Sequence, residues 1–185
     1  MHFTGLTEAE PVGPCASGSY LPRVKPTTPY RQLSAERRLS LLTHAMRQHR
    51  DNRAAFAQRL VARGGGFRAA TLMSWPAERL AREILRLNAE SAQDELELLQ
   101  LLYVELEPQI QIAFLDAAGV AHENGVIPDE LEPPYAERPA VEHAAGVVLG
   151  VHGSDGEHYL RTIAKYNAAA WPGIEEVVAA LKTEA

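Results

Sequence analysis

The chain has 185 residues, of which 46% are apolar, and its formal net charge at pH 7 is −6. This length allows one domain with a sizeable core, and the apolar fraction argues against global disorder. A single cysteine excludes an intrachain disulfide framework and a cysteine-based zinc site, and no apolar run is long enough to cross a membrane.

The net charge hides an imbalance between the two halves of the chain. The residues up to Arg86 include 14 basic and 6 acidic side chains, whereas those from Leu87 onward include 4 basic and 18 acidic side chains. The molecule should therefore be strongly dipolar unless the two halves fold against each other.

The first thirty residues are rich in proline, with glycine, serine and threonine between the prolines and no apolar period. Because proline fixes φ and removes a backbone donor, this composition favours extended conformations over a helix. We predict an extended arm over 1–30, which could dock on a partner or a neighbouring subunit, and a single helical domain over 31–185. Arg23–Pro29 also fits a basic-x-x-Pro-x-x-Pro spacing, which occurs often by chance.

Helical periodicity begins after Ser34, whose hydroxyl can cap a helix start. The apolar phase fails near Asp51-Asn52, two residues that favour caps and turns, so the pattern predicts helices at roughly 35–50 and 52–63. Glycines at 64–66 should end this unit.

Further helix starts follow along the chain. Trp75-Pro76 should open one helix, and Ser91 to Asp94 resembles a capping box that begins or continues another toward Glu107. Pro108 should restart the chain, and Gly119 can terminate the helix that follows.

Asn124-Gly125 lies at the centre of 120–127, and this dipeptide is the strongest short hairpin signal, so we predict a small two-stranded ribbon there. After it, three short helices are expected, starting near Pro139, Ser154 and Trp171. The sequence thus predicts an all-α bundle of about six helices with one small β-hairpin and an extended N-terminal arm.

Histidines and carboxylates cluster near the C-terminus. His143, His152 and His158, with Glu157, lie within 16 residues, and such groups suit metal binding or acid–base chemistry. The candidate catalytic residues are His143, His158 and Glu157, and the candidate metal ligands are His143, His152 and His158. Their spacing matches no established metal motif, and at helix ends an imidazolium can simply interact with the dipole.

Eight arginines between 37 and 68 form the candidate interaction residues: Arg37, Arg38, Arg47, Arg50, Arg53, Arg59, Arg63 and Arg68. Arginine binds phosphate well, which makes a nucleic-acid surface one hypothesis. Helical phasing, however, spreads these arginines around the circumference, and few aromatic residues lie between them. The competing prediction, which we favour, is that most of them meet carboxylates from Glu90 onward, in the same chain or in a neighbouring copy.

No motif for nucleotide binding, hydrolysis or metalloprotease chemistry occurs, so the sequence predicts no cofactor. The leading interpretation is a non-enzymatic interaction or scaffolding protein that forms homo-oligomers. The alternatives are a nucleic-acid-binding regulator that uses 37–68 and a metal- or acid–base-dependent enzyme centred on the C-terminal histidines. Arginine greatly outnumbers lysine and alanine is abundant, a composition that favours a bacterial, cytoplasmic protein.

Overall fold

A computed structural model describes residues 27–64 and 66–181, and within these ranges the protein is all-α. The helices are α1 (Pro29–Gln32), α2 (Ala35–Gln48), α3 (Arg50–Ala62), α4 (Ala69–Ser74), α5 (Ala77–Leu87), α6 (Ala92–Leu101), α7 (Pro108–Ala118), α8 (Arg138–Tyr166) and α9 (Ile174–Leu181). A π-helical turn, Leu102–Leu106, links α6 to α7, and a 3₁₀ turn, Ala168–Ala170, precedes α9. No helix in the described part of the chain is both long and apolar enough to cross a bilayer.

Local capping signals define several helix starts as the sequence indicates. The Ser34 hydroxyl accepts a hydrogen bond from the Arg37 amide at 3.1 Å, and the chain breaks between α2 and α3 at His49. Ser91 and Asp94 form a complete capping box at the start of α6, in which each side chain accepts from the other residue's backbone N–H. These caps supply partners for amides that have none within the helix.

The predicted β-hairpin at 120–127 is wrong, because the described residues contain no strand there. Asn124 and Gly125 do form the expected tight turn, with φ of 52° and 88°, but only one isolated bridge, between Glu123 and Val126, flanks it. Two backbone hydrogen bonds between Glu123 and Val126 close the turn, and the Gln111 amide also donates to the Gly125 carbonyl at 2.6 Å. The turn is therefore anchored to α7 and needs no second strand.

Most of the predicted arm lies outside the described residues. Where its last residues are described, they form α1, whose start is capped by Thr28 and whose Tyr30 is fully buried. The tyrosine lies among the core side chains, so the chain is already packed against the bundle at this point.

Helix α8 consists of two helical arms joined at Gly153, whose φ of 52° and ψ of −123° are not helical. The sequence predicts a helix stop at this glycine, and this is confirmed, because the backbone leaves the helical conformation there before the second arm begins. Gly156 then packs so closely on the preceding arm that an added Cβ would lie 2.6 Å from the Val148 carbonyl oxygen. The two arms of α8 therefore pack together only because residue 156 has no side chain.

The core is continuous from α1 to α9, and aromatic contacts fix its C-terminal part. The Phe114 ring meets the Trp171 ring edge to face at 4.9 Å and the Tyr159 ring at 5.6 Å. Such pairs add about 1 kcal/mol each to the burial of their area. They hold α7, α8 and the turn before α9 together, and these elements form one wall of the site described next.

Candidate functional site

An open groove of about 830 Å³ runs between α6 with its π-turn, α7 and the C-terminal arm of α8. Its walls combine aliphatic and aromatic side chains with a few amides. Its lining residues include Leu96, Glu97, Gln100, Tyr103, Val104 and Tyr166. A groove of this size holds several side chains of a bound chain.

The rim of the groove follows from local sequence. The π-turn spreads the residues of α6 over a wider arc, and it leaves Val104 43% exposed. On the opposite side, the anchored Asn124-Gly125 turn presents Val126, which is 52% exposed. Solvent-exposed apolar side chains therefore lie on both sides of the opening, as is typical of a surface that binds a partner.

The charge of the groove has one sign. Among the described residues that line it, the charged ones are Glu97 and Glu105, and neither lysine nor arginine is present. Glu97 is half-buried and contacts the Gln93 amide at 3.0 Å, with no cation beside it in the part of the chain described. Glu97 is thus a carboxylate that a cationic ligand could meet.

Glu105 lies at one end of the groove, between two imidazoles. The Nε2 atom of His44 is 2.9 Å from one carboxylate oxygen, and that of His49 is 3.1 Å from the other. The hydrogen bond to His44 is the main cause that lowers the pKa of the Glu105 carboxyl. Sequence reasoning missed this cluster, because 61 and 56 residues separate the two histidines from their partner.

The structure does not bring the three C-terminal histidines together. His143 is exposed, His152 is half-buried, and His158 lies inside the bundle, where burial lowers the pKa of its imidazole. Glu157 forms an ion pair with Arg161 one turn along α8. No set of three or more His, Cys, Asp or Glu side chains in the described ranges is placed to hold a metal ion.

His158 instead connects two elements. Its Nε2–H donates to the Pro29 carbonyl at 2.7 Å, so the neutral ring accepts at Nδ1 from the Tyr103 hydroxyl. This arrangement joins α1 to the π-turn through one imidazole ring. Tyr103 also lines the groove. The imidazole of His158 therefore links Pro29 of α1 to a residue of the groove wall.

The candidate interaction arginines are spread over several roles. Arg37 lies between Glu107 and Asp155, and Arg59 pairs with Asp94. Arg53 donates to the carbonyls of Met73 and Trp75, and Arg63 donates to that of Leu87 at 3.0 Å. The Arg38 guanidinium lies 5.9 Å from the centre of the Tyr30 ring. The remaining members, which are exposed and have no ion pair with a described residue, are Arg47, Arg50 and Arg68.

Within one chain, Arg37 and Arg59 are the members of this set that meet carboxylates from Glu90 onward among the described residues. Contacts of the other arginines with carboxylates of a neighbouring copy stay a prediction. Arg53 of α3 and Arg63, which follows α3, instead donate to carbonyls at the ends of α4 and α5 that have no partner within their helices.

Comparison of the chain with protein-family models, with curated proteins and with solved structures gave no match.

Proposed function

We propose that the protein is a non-enzymatic interaction protein whose groove binds a polypeptide segment of a partner protein. The segment would carry aliphatic or aromatic side chains around at least one arginine or lysine. The observation that carries this proposal is the groove's composition: apolar walls, with carboxylates as the charged groups among its described lining residues.

The ligand class follows from what each part of the groove can contact. Leu96, Val104 and the aromatic rings can bury apolar side chains, which is the main source of affinity for such segments. Gln100 and Asn167 carry both donors and acceptors, and these suit a peptide backbone. Glu97 would meet the basic residue of the ligand and set its register.

The nucleic-acid alternative receives less support. Arg37, Arg53, Arg59 and Arg63 already hold carboxylates or carbonyls, and a phosphate would have to replace those contacts. The enzyme alternative receives less support because His143, His152 and His158 do not converge. The homo-oligomeric state and the bacterial, cytoplasmic location stay predictions from the sequence.

The test is a pair of labelled peptides titrated against the full chain by fluorescence anisotropy. One peptide carries tyrosine, leucine and valine around a central arginine, and its twin carries glutamate in place of that arginine. We expect the arginine peptide to bind about tenfold more tightly than its twin.

Glu97→Arg should reverse this preference, so that the glutamate peptide becomes the tighter ligand. Glu132→Arg is the matched control, because Glu132 is exposed in the loop after α7 and does not line the groove. The same change of charge there should leave the preference as it is. Equal binding of the two peptides by the original chain and by Glu97→Arg would overturn the proposal.

A further inference from the structure

The base of the groove contains a tyrosine hydroxyl that forms no hydrogen bond with any described residue. Tyr159, in the C-terminal arm of α8, lines the groove, although only 4% of the residue is exposed. Its hydroxyl is not among the side-chain polar atoms that are closed off from solvent and lack a partner. A hydroxyl that has no partner and is still accessible must open into the groove, because the groove is the space that Tyr159 lines.

The other buried tyrosines of the described ranges have partners. The Tyr30 hydroxyl donates to Glu90 at 3.0 Å, and the Tyr103 hydroxyl donates to Nδ1 of His158. Buried polar groups in folded proteins are nearly always hydrogen-bonded, and one that is not requires an explanation. The explanation that fits Tyr159 is a ligand that supplies the missing partner.

Aromatic rings form much of the groove wall near Tyr159. The Tyr103 ring meets the Tyr159 ring edge to face, with 4.8 Å between the two centroids. Tyr166 and Trp171 line the same groove. Such walls favour an aromatic side chain in the ligand, because contacts between rings add to the free energy gained by burying their area.

The polar groups at the base of the groove are hydroxyls. One turn after Tyr159, Thr162 also lines the groove, and its hydroxyl donates to the His158 carbonyl at 2.9 Å, so its oxygen can accept from a ligand. Burial is the main cause that raises the pKa of Tyr159, Tyr103 contributes, and no charged side chain in the described part of the chain does. The phenol therefore stays protonated at neutral pH and can both donate and accept. A charged ligand group would lose its hydration here without meeting an opposite charge.

We propose that the base of the groove is a subsite for a tyrosine side chain of the bound segment, whose phenol forms a hydrogen bond with the Tyr159 hydroxyl. This inference rests on the proposed function, because it takes the same groove as a polypeptide site and names a residue that the segment carries. The ligand's ring would bury about 200 Å² against the aromatic walls. Phenylalanine would fill the same space but would leave the Tyr159 hydroxyl without a partner, so the groove selects tyrosine over phenylalanine.

The selection is tested with the labelled arginine peptide, which contains one tyrosine, and a twin that carries phenylalanine at that position. Fluorescence anisotropy with the full chain should show the tyrosine peptide binding about fivefold more tightly. In Tyr159→Phe this preference should disappear, because the hydroxyl that recognises the phenol is absent. Equal affinities for the original chain, or a fivefold preference that persists in Tyr159→Phe, would overturn the proposal.

Tyr135→Phe is the matched control. Tyr135 is half-buried, and its ring lies 5.3 Å from that of Trp171, but it does not line the groove. Loss of its hydroxyl should leave the preference for the tyrosine peptide at about fivefold. A control variant that loses the preference as completely as Tyr159→Phe would also refute the subsite.

Thermal unfolding of the free chain separates a binding hydroxyl from a structural one. Tyr159→Phe should leave the midpoint unchanged, because the described chain loses no hydrogen bond. Tyr103→Phe should lower the midpoint, because its hydroxyl holds His158. An equal fall in both variants would show that the Tyr159 hydroxyl is structural and would contradict the proposal.

The peptide series also separates this subsite from the proposed function. If the tyrosine and phenylalanine peptides bind equally while the preference for arginine over glutamate still depends on Glu97, the proposed function stands and the tyrosine subsite is refuted. If none of the peptides binds, the proposed function fails, and the subsite fails with it.

Discussion

The carboxylates of the acidic stretch 90–97, which runs into α6, lie in two different environments. Glu90, just before α6, and Glu95, in its first turn, are buried and held by Tyr30, Arg31 and Thr28 of the α1 region. Two residues after Glu95, Glu97 faces the groove with an amide as its described partner. Glu90 and Glu95 thus hold α1 in place, whereas Glu97 can bind a ligand, although all three belong to the same acidic stretch.

The largest effect should follow from removing the buried anchor of α1. Tyr30→Ala deletes a fully buried ring and leaves Glu90 without its hydroxyl donor, so we expect a loss of about 4 kcal/mol in the free energy of unfolding. Urea denaturation followed by circular dichroism measures it. A loss below about 1 kcal/mol would mean that α1 contributes little to the fold.

Removing the Arg31 guanidinium, which pairs with Glu90 and Glu95, should have the next largest effect on stability. Arg31→Ala leaves two buried carboxylates without their guanidinium, which costs about 2 kcal/mol after allowance for the partial exposure of Arg31. Arg82→Ala is the control, because its pair with Glu78 lies on the surface. If both substitutions changed stability equally, the distinction between buried and exposed pairs would not hold.

Acid should weaken the link through His158. Burial lowers the pKa of this imidazole in the folded state, so the unfolded chain binds the proton first and stability falls as the pH drops below about 6.5. We expect the original chain to lose more stability between pH 7 and pH 5.5 than His158→Gln does. His143→Gln, on an exposed histidine, should retain the pH dependence of the original chain.

The smallest effect on stability should come from Glu97 itself. Glu97→Gln removes a half-buried carboxylate that has no cation among the described residues, so the free energy of unfolding should change by less than about 0.5 kcal/mol. The preference of the Glu97→Gln variant for the arginine peptide over the glutamate peptide should nevertheless decrease. A large stability loss would place Glu97 with Glu90 and Glu95 as a structural carboxylate.

Local signals in the sequence predicted much of the fold. Ser34, the Ser91–Asp94 box and the Asn124-Gly125 turn act through neighbours one to three residues away, so their geometry could be inferred without tertiary information. The hairpin prediction failed because the backbone pairing is limited to one bridge between Glu123 and Val126, and the Gln111 amide anchors the turn to α7. The short helices α1 and α4 went unpredicted, since segments of four and six residues depend on tertiary contacts.

The candidate site depended almost wholly on contacts between distant residues. The approach of His44 and His49 to Glu105, and the position of His158 between Pro29 and Tyr103, join residues more than fifty positions apart. The arginines between 37 and 68 were predicted to pair with carboxylates, whereas Arg53 and Arg63 donate to carbonyls at helix ends. Composition gave the excess of acidic residues after Leu87, but it could not separate Glu97 from its paired neighbours.

The most direct test of the groove is a double-mutant cycle between Glu97 and the charged position of the peptide. The four dissociation constants come from the original chain and Glu97→Arg, each with the arginine and the glutamate peptide. We expect a coupling free energy of at least about 1.5 kcal/mol, and the two like-charged combinations should bind most weakly. A coupling indistinguishable from zero, with peptide binding unaffected by the charge at residue 97, would contradict it.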